Sequence, residues 1–209
     1  SRAIEKVWRR FHSAVAAVPQ ARANYEASVV AHGRWQTLKG LSAALDKRVE
    51  FGLADAAGIV DGSVEHWHRR FAQFAEFDAA EQALRSPAAH ERWHARWRAL
   101  GAEKNATPRK AAEAVVAAFV GQDLSQRLQI LRKGFFVATE DRLTQHLARY
   151  PAAQEAESEL QALCAASAQH QAWAHQQRMA RLVRLVVAQY AGLKREGRWV
   201  GMGGVGRAG

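Results

Sequence analysis

The stretch from Ala152 to Arg195 constrains the fold most, because it contains no proline and its only glycine is Gly192. Proline and glycine commonly mark helix ends, so their near absence favours continuous helix. The stretch predicts either one helix roughly 60 Å long, at 1.5 Å rise per residue, or two helices broken near Ser167. Its second half carries an apolar stripe at helical spacing, formed by Met179, Leu182, Val183, Val186, Tyr190 and Leu193.

The first half of the chain shows the same helical spacing. A first helix is predicted up to Pro19, with Trp8 and Phe11 facing inward. Its apolar positions are Ile4, Val7, Trp8, Phe11, Val15 and Val18. Two further helices are expected, one over 21–32 and one from about Trp35 to the charged cluster at 46–48. The glycine-bearing segment 51–62 predicts a short helix and a turn.

Polar residues and prolines mark the expected starts of further helices, at Ser63, Asp78, Pro87, Thr107-Pro108 and Thr139. The helix from Ser63 would run to Phe74, that from Pro87 to Leu100, and that from Thr139 to Tyr150. The sequence therefore predicts an all-α fold, an irregular multi-helix bundle with a long C-terminal helix. Residues 1–196 are expected to form one helical subdomain, and 197–209 a flexible Gly-rich tail.

The charge balance favours a polyanionic partner. Thirty Lys and Arg against 20 Asp and Glu give a formal net charge of +10, and nucleic acid is the commonest partner of such a chain. The alternative is a basic surface that serves only solubility. One cysteine excludes an intrachain disulfide. The absence of a signal-like or membrane-spanning apolar segment predicts a soluble, cytoplasmic protein with no membrane partner.

His90 to His94 match the pattern H-E-x-x-H, which on a helix can hold zinc, and Glu113 lies where a third ligand would be needed. Arg92 places a positive charge inside the motif, where it would repel a dication. We therefore expect no zinc, and instead a basic surface helix with Trp93 and Trp97 packed inward. A zinc hydrolase remains a rival interpretation.

Neither the other motif-like segment nor the one cysteine predicts a chemical role, and a nucleotide-binding P-loop motif is absent. Residues 201–206 fit G-x-G-x-x-G but follow a predicted helix, whereas dinucleotide binding requires a strand there. Cys164 has no basic partner on its helix face, so a structural thiol is expected. No G-x-x-x-x-G-K-[ST] motif occurs, so ATP cannot bind through a P-loop. We expect no catalytic, cofactor-binding or metal-binding residue.

Four basic pairs fall near predicted helix ends, where they can meet phosphates without reading sequence. The predicted DNA-binding residues are Lys47, Arg48, Arg69, Arg70, Arg109, Lys110, Arg132 and Lys133. The pairs beginning at 47, 109 and 132 are expected to gather on one face. The seven tryptophans are expected mostly in the core, with base stacking as the alternative.

Two segments resemble a known family. Leu185 to Trp199, with Lys194-Arg195-Glu196, resembles the helix of UvrD/Rep-type DNA helicases that leads to an LKRERG…DF.DL signature. Leu45 to Gly58 looks like a stretch of AddA-type double-strand-break repair helicases, and Lys104 to Leu147 is loosely similar to the same helical insertion, subdomain 1B. Glycines at 201–206 stand where the family carries acidic residues.

The resemblance implies a DNA-binding accessory subdomain of an ATP-dependent helicase that works with an exonuclease in repair and recombination. ATP and Mg²⁺ would be bound by the parent motor, outside this chain. The implied partners are duplex or single-stranded DNA and a nuclease subunit. The alternative is a helical protein–protein module that docks the nuclease subunit.

Overall fold

The computed structural model describes residues 1–197, and most of these residues lie in helices. The helices are α1 (Arg2–Ala17), α2 (Pro19–His32), α3 (Arg34–Asp46), α4 (Arg48–Ala56), α5 (Trp67–Arg70), α6 (Pro87–Gly101), α7 (Ala106–Val120), α8 (Leu124–Phe135) and α9 (Pro151–Arg195). Short 3-10 helices occupy Ala72–Phe74 and Ala80–Arg85. Within 1–197 no strand forms, only one antiparallel bridge between Phe136 and Leu143. The all-α prediction is confirmed. Segment 198–209, with nearly all of the predicted tail and the G-x-G-x-x-G pattern, lies outside the described residues.

The chain divides into two compact units. The first unit comprises Ser1–Val64 and Ala172–Gly209, and the second Glu65–Gln171. Helix α9 contributes its first part to the second unit and its last part to the first. Each unit has an apolar core of its own.

The core of the first unit is built from α1, α3 and the last part of α9. Its buried residues are Val7, Phe11, Val15, Leu41, Leu45, Leu182, Val183, Val186, Tyr190 and Leu193. The predicted stripe of α9 is therefore confirmed as a core face. Phe11 is fully buried, while Trp8 is half-buried and lies edge-on to the Phe11 ring at 5.6 Å between centroids.

The core of the second unit joins α6, α7, α8 and the first part of α9. Arg127 of α8 lies inside it, 5% exposed. Its guanidinium donates to the carbonyls of Leu84, Ala118 and Gly121, at 2.9 to 3.1 Å. A helix cannot satisfy its own last carbonyls, so Arg127 completes the C-terminal end of α7 from the neighbouring helix.

Helix α9 is continuous over 45 residues, or roughly 67 Å at 1.5 Å per residue. The alternative break near Ser167 does not occur. Ser167 is buried, and its hydroxyl donates to the carboxylate of Glu81. Because that hydroxyl has a partner outside the helix, it does not compete for the backbone of α9.

The predicted helix from Ser63 to Phe74 is wrong. The Ser63 hydroxyl donates to the Val60 carbonyl at 2.8 Å, which closes a turn after α4. The helix begins only at α5, where Nδ1 of His66 accepts from the backbone N–H of His68 at 3.1 Å. Because the Ser63 side chain bonds within the preceding turn, the N-cap is His66, three residues after the predicted one. The helix that follows has only four residues.

The predicted helix from Thr139 to Tyr150 is also wrong, because residues 136–150 are irregular. In a helix the backbone N–H of Leu143 would donate to a carbonyl one turn earlier. Here it donates to the Glu157 carboxylate at 2.7 Å. The buried apolar side chains of this segment are spaced by seven, four and three residues, as on one face of a helix, although no helix forms; they are Phe136, Leu143, Leu147 and Tyr150. Packing against α9 overrides local preference here.

Of the remaining predicted starts, Pro87 is confirmed: the Ser86 hydroxyl caps α6 by accepting from the N–H of Ala89 at 3.1 Å. The start at Thr107-Pro108 is confirmed by α7. Asp78 caps no helix. The second 3-10 helix begins at Ala80, two residues later. The backbone N–H of Asp78 donates to the side-chain oxygen of Gln82 at 3.0 Å.

Candidate nucleic-acid interface

The positive charge of the chain is concentrated in the first unit. This unit holds sixteen Lys and Arg against seven Asp and Glu, a surplus of nine. The second unit holds fourteen against thirteen, a surplus of one. The net positive charge of the chain therefore lies almost entirely in the first unit.

Arg2, Lys6 and Arg9 form a basic row on α1, which we name the α1 stripe. Their spacing of four and then three residues places them within about 60° of one another around the helix. They lie opposite the buried Val7 and Phe11, and all three are exposed. Among the described residues none of the three has an acidic partner. The sequence signal of this stripe is a cation every three or four residues, which differs from the adjacent basic pairs that predicted the other sites.

The last turn of α9 lies beside the α1 stripe. Lys6, Arg9 and Arg10 line a cavity of about 190 Å³ together with Leu193. Both terminal nitrogens of Arg10 donate to Glu196 at 2.8 Å, which fastens the end of α9 to α1. The same last turn carries Lys194 and Arg195, both exposed. The exposed cations carried by these two adjoining elements are Arg2, Lys6 and Arg9 on α1 and Lys194 and Arg195 on α9.

Lys47 and Arg48, a predicted DNA-binding pair, lie where α3 meets α4. Lys47 is exposed. Arg48 lies over the ring of Tyr190, 4.2 Å from its centroid, and donates to the Tyr190 hydroxyl at 3.0 Å. Lys47 is thus exposed to solvent, whereas Arg48 holds α4 against α9.

The α7–α8 hairpin brings two further predicted pairs to the same end. Arg109-Lys110 occupies the first turn of α7 and Arg132-Lys133 the last turn of α8, and the two helices run antiparallel across a three-residue link. Arg132 pairs with Asp141 at 2.9 Å. Arg109, Lys110 and Lys133 are exposed, and within 1–197 none of them has an acidic partner.

Arg69 and Arg70 end the short helix α5. Arg69 is exposed, and Arg70 donates to the side chain of Gln169 at 3.2 Å. This pair and the two pairs of the hairpin belong to the second unit, while Lys47-Arg48 belongs to the first. The gathering of three pairs on one face therefore stays a prediction.

The two residues at the variable positions of the H-E-x-x-H motif, Arg92 and Trp93, contribute to packing between α6 and α9. The Glu159 carboxylate accepts from Arg92 at 2.7 Å, from the Trp93 indole at 2.5 Å and from Arg96 at 3.2 Å. Trp93 is fully buried, as expected. In the part of the chain that the structure describes, no three His, Cys, Asp or Glu side chains form a group that could hold a metal ion.

An apolar groove runs between α6 and α7, and both histidines of the motif line it. The cavity measures about 310 Å³ and is lined by His90, Trp93, His94, Trp97, Val115, Val116 and Phe119. The expected inward packing of Trp97 is wrong, because this residue is 37% exposed. It follows Trp93 by one turn and lies about 40° further around the helix, at the rim of the groove rather than in its floor. Val116 and Val120 are exposed on α7.

Cys164 is partly buried in the second unit. Burial raises the pKa of its thiol to about 11, and the negative charge of Asp141 adds to the effect. The thiol is therefore protonated at neutral pH and is a weak nucleophile.

Comparisons with protein-family models, curated proteins and solved structures found no match to this chain. The similarity to UvrD/Rep-type and AddA-type helicases therefore remains a proposal. Among the described helices, none combines the length and the apolar character needed to cross a membrane.

Proposed function

We propose that this chain is a DNA-binding accessory subdomain of an ATP-dependent DNA helicase that acts with an exonuclease in repair and recombination. The observation that carries the proposal is the surplus of nine positive charges in the first unit, with the α1 stripe turned to solvent. The similarity of Lys194-Arg195-Glu196 to the helicase signature supports the assignment of the parent enzyme. ATP and Mg²⁺ are bound by the parent motor, and the whole acts in the cytoplasm.

Binding is non-specific in this proposal. The α1 stripe spans about 10 Å along the helix, and DNA presents one phosphate per roughly 3.4 Å of each strand. The stripe therefore meets about three phosphates, and the exposed cations of the last turn of α9 lie beside it. Such contacts hold and orient DNA next to the motor without reading its bases. A dissociation constant on the order of 10⁻⁴–10⁻⁶ M is expected at physiological salt.

The test is a fluorescence anisotropy titration with duplex and single-stranded oligonucleotides of several sequences, repeated over a salt series. Arg2→Ala/Lys6→Ala/Arg9→Ala should weaken binding to every sequence alike and reduce the salt slope by about three, since each lost phosphate contact removes close to one unit. Arg109→Ala/Lys110→Ala should reduce the slope by roughly two if the hairpin also contacts DNA.

The matched control is Arg85→Ala/Arg98→Ala, which removes two exposed cations outside all of these groups. It should leave both affinity and slope unchanged. Salt-independent binding, or no binding by the wild-type chain at low salt, contradicts the proposed function.

A second candidate function is a helical module that docks a nuclease subunit. The observation that favours it is the apolar groove between α6 and α7, with Trp97, Val116 and Val120 exposed. An apolar interface depends little on salt, unlike phosphate binding. If this candidate is correct, the nuclease subunit of the parent complex binds equally well at about 50 and 200 mM salt, and Val116→Arg/Val120→Arg abolishes binding to it.

A further inference from the structure

Trp35, the second residue of α3, is displayed to solvent rather than packed. Its side chain is 67% exposed, whereas Trp67 and Trp93 are 1% and 0% exposed. Among the tryptophans within residues 1–197 it is the most exposed. A large aromatic face left in water is a common feature of surfaces that stack a ligand.

The surroundings of the Trp35 ring are cationic. The ammonium of Lys39, one turn further along α3, lies 4.8 Å from the ring centroid. Arg34 precedes Trp35 and is exposed. No Asp or Glu occurs between residues 27 and 45. A ligand that contacts this ring therefore lies near the positive charges of Arg34 and Lys39, and no acidic residue neighbours them in the sequence.

The charge of Arg34 also acts on a residue of α1. The pKa of His12 on α1 is lowered, first by burial and then by the positive charge of Arg34. His12 follows Arg9 by three residues on the same helix. Arg34, the residue before the exposed indole, therefore lies close enough to α1 for its charge to act on His12, within the same unit.

A nucleotide of a single strand combines the two features that this arrangement matches, a flat base and a phosphate. An indole stacks on any base, and neighbouring cations hold the backbone. Bases inside a duplex are already stacked on one another, so they cannot offer a free face to the ring. We propose that Trp35 stacks on an unpaired base, so that the first unit binds single-stranded DNA more tightly than duplex. This inference rests on the proposed DNA-binding function.

The experiment measures the affinity of the full chain for a fluorescein-labelled oligo(dT), for a duplex of the same length, and for an abasic strand that keeps the phosphates. Trp35→Ala should weaken binding to oligo(dT) about tenfold and change duplex binding by less than about twofold. Its salt slope should equal that of the wild type, because no phosphate contact is removed. On the abasic strand the variant and the wild type should bind alike.

Two further variants separate stacking from general effects. Trp35→Phe keeps an aromatic face and should retain most of the affinity for oligo(dT). Trp97→Ala removes an exposed indole from the second unit and should bind like the wild type. The thermal unfolding midpoint of each variant is compared with that of the wild type. If Trp35→Ala fails to fold, the affinity of Trp35→Phe for oligo(dT) and that of the wild type for the abasic strand test the stacking.

The inference is overturned if Trp35→Ala binds oligo(dT) like the wild type, or if it loses single-strand and duplex binding equally. In either case salt-dependent binding by the wild type, reduced in the α1 stripe variant, leaves the proposed function standing. If the wild type binds no DNA at low salt, both the proposed function and the role of Trp35 fail.

Discussion

The guanidinium of Arg127 lies over the ring of Phe119, 4.4 Å from its centroid, while it donates to three carbonyls of the second unit. A buried charge is tolerated only when its donors are satisfied. Here one side chain supplies bonds to Ala118 and Gly121 at the end of α7 and to Leu84 in a 3-10 helix. Arg127 therefore fastens three elements together.

Arg127→Ala should lower the free energy of unfolding by about 3 kcal/mol or more, because the carbonyls of the buried Leu84 and Ala118 and that of Gly121 lose their donor. Arg127→Lys should recover little, since one ammonium cannot reproduce the planar fork of a guanidinium. Urea unfolding measures both effects. Arg98→Ala, which removes an exposed arginine of the same unit, should change stability by less than about 0.5 kcal/mol. Equal stability of the Arg127 and Arg98 variants would contradict this role.

At the scale of elements, the close approach of α7 and α8 depends on Gly134. A Cβ at this position would lie 2.4 Å from the Cβ of Ala114. Two carbon atoms that are not bonded to each other cannot lie so close, so any side chain at Gly134 must push α7 and α8 apart. This hairpin also brings Arg109-Lys110 to the same end as Arg132-Lys133, so its geometry sets the spacing of these cations.

Gly134→Ala should destabilise the chain by about 1–3 kcal/mol through overpacking. Ala114→Gly in the same chain removes the opposing methyl group and should restore part of that loss. The control is Gly52→Ala on α4, where a Cβ meets nothing within 4 Å. This control should stabilise the chain by roughly 0.5–1 kcal/mol, because alanine favours a helix over glycine. Chemical unfolding of the three variants and the wild type tests the prediction. A Gly134→Ala variant as stable as the Gly52→Ala control would refute the close packing.

For the whole molecule, histidines in both units prefer the neutral form. The pKa of each of these side chains is lowered, chiefly by burial; they are His12, His66, His170 and His175. Nearby positive charge adds to the effect of burial at His12, where it comes from Arg34, and at His175, where it comes from His32 and Arg178. The folded chain therefore resists protonation of these four imidazoles.

Stability should fall as the pH is lowered from about 7.5 to 5.5. The unfolded chain takes up protons near the ordinary histidine pKa of about 6.5, before the folded chain does, so acid favours unfolding. The contribution of these histidines is present above about pH 6.5 and is lost below it as the pH approaches their folded pKa values. Urea unfolding at a series of pH values measures the loss. His170→Gln should make the dependence shallower, and stability that stays constant or rises over this range contradicts the prediction.

Several elements were determined by local sequence. The stripe from Met179 to Leu193 predicted the buried face of α9, because core burial of a long helix requires apolar residues at its own period. Pro87 marked the start of α6, because proline suits a first turn whose N–H groups lack partners in any case. The location of the four basic pairs near helix ends could also be read from adjacent residues.

Tertiary structure decided the rest. Ser63 and Thr139 are typical caps by residue type, yet Ser63 bonds to Val60, and the segment after Thr139 takes its bonds partly from Glu157. The division of the charge between the two units depends on which segments pack together, and the end of α9 meets α1 through an ion pair between residues 186 positions apart. Helical periodicity is a property of neighbours along the chain, so the sequence displays it directly. A hydrogen bond or a shared basic surface depends on distances that only the folded chain sets, because the contributing residues come from remote segments.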